Sequence, residues 1–99
     1  MNHFAIFRDP MASVAYAASG GSLSAYALKR IKINPAASVE YARTVVKAPI
    51  PELESMISKD PVSAALYAVN VLKAPWPSAE NAIKRHPQAA AIYSSIAVF

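Results

Sequence analysis

Between Ser38 and Val45, small and apolar residues recur at spacings of three and four: Ser38, Tyr41 with Ala42, then Val45. That is one face of a helix. Ala64, Tyr67 with Ala68, and Val71 repeat the pattern further along the chain, at the same spacings. A second stripe follows each of these. It reads Leu53, Met56 and Ile57 in one place, and Ala79, Ala82 and Ile83 in the other. Prolines separate the stripes. Pro49 and Pro75 end the first kind of helix, because the residue before a proline is pushed out of helical geometry. Pro51 and Pro77 open the second kind, since proline fits a first helical turn. Asp9, Asn34 and Asp60 stand before Pro10, Pro35 and Pro61, a helix-start signal in which the side chain caps free N–H groups. His86, before Pro87, is expected to be a poorer cap.

The prolines count out a period. Pro35, Pro61 and Pro87 are evenly spaced, and Pro10 precedes Pro35 by one position less than the same interval. Six residues after each stands Tyr16, Tyr41, Tyr67 or Tyr93, and four before each stands Ile6, Ile31, Ile57 or Ile83. Such self-similarity marks a repeat architecture. The expectation is an all-α fold: a compact αα-repeat, a short helical solenoid or bundle with a period of about 26 residues. It forms one domain over 1–99, divided as half unit 1–9, units 10–34, 35–60 and 61–86, and half unit 87–99. The first unit departs, with Ser19-Gly20-Gly21-Ser22 where the next two have Lys-Ala-Pro-x-Pro. Helices this short are not stable alone, so neighbouring units must bury the Tyr, Val and Ile positions. Each period tyrosine is expected to plug the groove between units, its hydroxyl satisfied at the edge. Tyr26 breaks the register. Glu54 and Glu80 are repeat equivalents that resemble an acid–base pair, but their first-turn placement is already explained by the helix macrodipole.

The stretches "YARTVVKAPIPELESMISKDP" and "YAVNVLKAPWPSAENAIKRHP" resemble short helical repeats in proteins predicted from tailed bacteriophages. There a Tyr-Ala-x-x-Val segment leads to Trp-Pro-x-x-Glu, then Ile and a proline-started next unit. The resemblance covers residues 35–93 well and 1–34 loosely. Trp-Pro survives here only at Trp76-Pro77, with Ile50-Pro51 in its place one unit earlier. It implies a small phage accessory protein, of a kind that often binds and blocks host machinery. It carries no catalytic residues.

Composition narrows the chemistry. The chain is 55% hydrophobic and 16% charged, too apolar for disorder. It has no cysteine, which removes disulfides, thiolate catalysis and sulfur-ligated zinc. Arg8, Asp9 and Pro10 interrupt the opening stretch where a signal peptide needs an apolar run, and no apolar stretch is long enough to span a membrane. The expectation is a cytoplasmic protein without a membrane segment. Gly20 and Gly21 are the only glycines, so no phosphate loop exists. His3 and His86 lack ligands at metal spacing. No serine sits in a nucleophile elbow. No enzyme, metal or cofactor is therefore expected.

Surfaces carry what remains. Net charge is +4. Lys47 and Lys73 end successive first helices, while Lys29 and Arg30 form one cluster near the end of a second helix and Lys84 and Arg85 another. Stacking would align them into basic rows. Dipole compensation and solubility account for such rows; the alternative is an anion-binding edge for nucleic acid or a nucleotide. Exposed aromatics are not interleaved with these charges, which argues against sequence-specific nucleic-acid reading. Trp76, the lone Trp, lies in a Pro-Trp-Pro linker and is either an interface anchor or a core cover. The ends "HFAIF" and "QAAAIYSSIAVF" are apolar and do not look like solenoid caps. The expected partner surface is Trp76, Tyr93, Ile96 and Phe99, with a homo-oligomer as one consequence. The leading functional expectation is a non-enzymatic interaction module that binds and inhibits a host protein. The alternatives are an anion binder acting through the basic rows, or a virion or scaffold component.

Overall fold

The computed structural model describes residues 9–96. Among them the structure is all-helical. The first helices are α1 (Pro10–Ala18), α3 (Pro35–Tyr41), α5 (Pro61–Tyr67) and α7 (Pro87–Tyr93). Between them run α2 (Ala25–Lys32), α4 (Pro51–Ile57) and α6 (Pro77–Lys84). α1, α3, α5 and α7 pack in succession, and each of α2, α4 and α6 packs against the first helix before it and the one after it. The result is a two-layered stack measuring 46 × 22 × 20 Å. No helix among the described residues is long and apolar enough to cross a membrane.

The helix starts follow the sequence, with one exchange of roles. Asp9 accepts from the Met11 N–H and Asn34 from the Ala37 N–H, each at 3.0 Å. His86 also caps, its Nδ1 accepting from the Ala89 N–H at 3.3 Å. Asp60 does not cap the backbone; its carboxylate accepts the Ser63 hydroxyl instead. The expected weak cap is thus a working one, and one expected strong cap is spent on a side chain.

The ends of the first helices hold the main surprise. α3 does not run as an α-helix to the proline. It widens into a π-helical segment, π1 (Ala42–Val46), and α5 widens into π2 (Ala68–Leu72). Pro49 and Pro75 lie just ahead and forbid another helical turn. The chain closes by a left-handed residue that lets spare N–H groups reach back to a free carbonyl. The Lys47 and Ala48 N–H groups both reach the Ala42 carbonyl, at 2.7 and 3.3 Å. The Lys73 and Ala74 N–H groups reach Ala68 in the same way. The left-handed residues are the lysines themselves, with φ of 59° at Lys47 and 54° at Lys73.

The core lies between the layers. Ile31, Ile57 and Ile83, four residues before their prolines, are all fully buried. The larger cluster runs from Val39 through Leu53, Tyr67 and Trp76 to Tyr93. A smaller one at the other end contains Val14, Ile31 and Ala37, with Leu23, Tyr41 and Val45 packed against it. The buried Ser38 hydroxyl ties α3 to α2 by donating to the Ile31 carbonyl at 2.7 Å.

Candidate anion-binding site

Two buried tyrosines anchor the turns that carry the lysines. Tyr67, on α5, donates its hydroxyl to Glu54 at 2.7 Å and accepts the Ile50 N–H at 2.9 Å. Tyr93, on α7, donates to Glu80 and accepts the Trp76 N–H, both at 2.6 Å. Ile50 and Trp76 are the N-cap residues of α4 and α6, and neither has a side-chain cap. In a capping box a carboxylate from the first turn reaches back to the N-cap N–H. Here a tyrosine hydroxyl from the next helix sits between the two. Each such latch closes one end of a Lys-Ala-Pro-x-Pro turn. Burial first, and then the Glu54 hydrogen bond, push the Tyr67 hydroxyl up to about 12. Tyr93 is raised for the same reasons, burial first and Glu80 next.

The two latched turns lie side by side, and a cavity of about 400 Å³ opens between them. Its lining includes Lys47 and Lys73, with Arg43 and Asn70 from the π segments and Ala48 and Pro49 from the first turn. Arg43 also forms an ion pair with Glu40 one turn back. The pair is two-pronged, with Nε and one terminal nitrogen both donating to the Glu40 carboxylate, and it leaves the second terminal nitrogen outside it. Lys47 and Lys73 are exposed and form no ion pair among the described residues. The arrangement holds two ammonium groups, one guanidinium and one amide around a single concavity. Its chemistry is that of a receptor for an oxyanion.

A second cavity of about 480 Å³ adjoins the same turn, with Pro49 lining both. Leu28, Tyr41, Val46, Ile50 and Leu53 make it chiefly apolar, and Lys32 and Glu52 supply charged groups.

The residues of the expected partner surface turn mostly inward. Trp76 is 8% exposed and packs its ring at 49° to that of Tyr67, centroids 5.2 Å apart. Tyr93 is fully buried, and Ile96 is half-buried against the same cluster. These residues are spent on the chain's own core, because the linker folds over the groove that an anchor would have left open. Phe99 lies outside the described residues. The expected basic set divides. Lys47 and Lys73 meet at one cavity. Lys29 and Arg30 lie in the last turn of α2, with Arg30 5.9 Å from the centre of the Tyr26 ring, and Lys84 and Arg85 close α6. None of these four lines the cavity.

Sequence reasoning did not find Arg43, Asn70 or the latches. The latches had a signal. Glu54 precedes Tyr67 by the same interval as Glu80 precedes Tyr93, and a constant offset between an acid and a tyrosine is what a hydrogen bond between units requires. Arg43 and Asn70 had none, because they occupy different positions within their units. Among the described residues no group of three or more His, Cys, Asp or Glu is placed to hold a metal ion. No protein-family model, curated protein or solved structure matches the chain.

Proposed function

We propose that this chain is a non-enzymatic binding protein, a short αα-repeat array with one proline-started unit per period, that takes an anionic ligand between its two lysine turns. One observation carries the reading: Lys47 and Lys73 occupy left-handed backbone and line the same cavity. A non-glycine residue at positive φ costs about 1–2 kcal/mol. Glycine would remove that cost at either site, and the first turn of the chain does use Gly20, at φ 103°. Two lysines kept where glycine fits better argue for a use of the side chain. The surrounding chemistry favours phosphate or carboxylate oxygens, with the lysines as point charges and the nitrogen of Arg43 outside the Glu40 pair as a further donor. The cation-lined concavity is the feature that the basic rows alone lacked.

A second reading is a phage accessory protein, acting in the host cytoplasm, that binds and inhibits a host protein. The sequence resemblance supports it, and so does Val46, 42% exposed and next to Lys47 in the chain, as an apolar contact. Under that reading the lysine turns meet an acidic surface.

Pyrophosphate is the simplest probe. Calorimetric titration is expected to find binding that weakens as salt is raised and is lost in K47E/K73E. The control K84E/R85E removes the same charge elsewhere and is expected to bind as the parent does. Equal affinity in the parent and K47E/K73E would sink the proposal.

A further inference from the structure

The two cavities meet at one residue, and that constrains the ligand. Pro49 lines both, so a group held by Lys47, Lys73 and Arg43 lies next to an apolar cleft. From this we propose that the ligand is a mononucleotide, its phosphate between the lysine turns and its base in the cleft beside Tyr41. The inference rests on the anion-binding reading above and adds the ligand class.

Four features favour it. The cleft has the size and apolar lining of a small-molecule site, which typically encloses several hundred Å³ and carries a few polar groups for orientation. Tyr41 and Leu28 offer an aromatic ring and an aliphatic wall to a flat heterocycle. Lys32 and Glu52 supply one donor and one acceptor, the complementary pair that a base edge satisfies. The charge is also compact. Two lysines and the Glu40-paired Arg43 line one cavity, whereas Lys29, Arg30, Lys84 and Arg85 belong to other turns. A nucleic-acid strand needs a continuous basic track, and here Glu40 and Glu52 flank the turn instead.

The cleft exists because of a difference between units. Tyr67 has Trp76 packed against its ring and Glu54 on its hydroxyl. For Tyr41, the residue in the place of Trp76 is Ile50, and the residue in the place of Glu54 is Leu28. A smaller side chain and a missing carboxylate leave a ring-sized volume beside the tyrosine. An incoming base fills the place that an indole fills one unit later.

The test is a calorimetric series on the intact chain with adenosine 5′-monophosphate, inorganic phosphate, adenosine and a single-stranded oligonucleotide. The nucleotide is expected to bind at least ten-fold more tightly than phosphate, the gain that stacking of one base provides. Val46→Trp, which fills the cleft from an exposed position, is expected to erase that gain and leave phosphate affinity unchanged. Tyr41→Leu is expected to do the same, with the thermal melt read alongside to establish folding. Phosphate binding as tightly as the nucleotide would overturn the mononucleotide and leave the anion site standing. Affinity that climbs with oligonucleotide length would overturn it in favour of a strand. No binding of nucleotide or phosphate would overturn both readings together.

Discussion

The junction between α2 and α3 and the two junctions after it are built from the same plan and closed differently. At α4–α5 and α6–α7 a buried tyrosine hydroxyl joins a glutamate to an N-cap N–H. At α2–α3 the N-cap is Ser24, which caps its own helix through the Ala27 N–H at 3.1 Å. Tyr41 has Leu28 where the latched tyrosines have a glutamate, and it is only half-buried. The latched junctions pin their turns by the Ile50 and Trp76 N–H groups, each donating to a tyrosine hydroxyl. The unlatched junction keeps an open cleft. One helical stack can therefore be closed in two ways: corresponding positions hold it where the latch is complete and leave a cleft where it is not.

Removing a latch oxygen gives the sharpest contrast. Tyr67→Phe strands the Ile50 N–H and the Glu54 carboxylate in a part-buried setting, and a loss of about 1–3 kcal/mol is expected. Tyr41→Phe removes a hydroxyl without such partners and is expected to fall within about 0.5 kcal/mol of the parent. Urea unfolding of the two variants measures both. Equal losses would erase the distinction between the junctions.

Alkaline pH probes the same oxygens. The Tyr67 hydroxyl is raised from its ordinary value of 10.0 to about 12, so the folded chain keeps a proton that the unfolded chain gives up. Its contribution is complete below the ordinary value and is lost as pH rises through the raised one. The melting temperature is therefore expected to fall over that window, with a shallower fall in Tyr67→Phe. Parallel pH profiles for the two proteins would remove the latch as the cause.

Much of this plan was legible beforehand. The period of the prolines, the alternation of two stripes and the acidic first turns are local signals, and they marked out the helices and the buried isoleucines. The latches were half legible, because the glutamates read correctly as first-turn residues while their tyrosine partners lie across a unit boundary. The π segments were not legible. They arise from a conflict between a helix that would continue and a proline that forbids it, and a stripe of apolar residues does not record how the last turn widens. Trp76 was open between interface anchor and core cover, and the structure has it as a core cover. A tryptophan between two prolines looks exposed in the sequence, but its neighbour in space is Tyr67, a whole helix earlier. The lysines read as dipole compensation until their backbone conformation was known.

That conformation supplies a smaller prediction. Lys47→Gly or Lys73→Gly relieves a left-handed residue at the expense of a more flexible unfolded chain. A net gain of about 1 kcal/mol per site is expected from the thermal melt. No gain would mean that the turn imposes no strain on its lysine.

The most direct measurement combines the two roles of these residues: the affinity of K47G/K73G for pyrophosphate, taken on a protein whose melting temperature is read in the same preparation. The expected variant is more stable than the parent and binds the anion at least ten-fold more weakly, a loss of about 1.4 kcal/mol or more. A stabilised variant that binds as tightly as the parent would contradict the anion site.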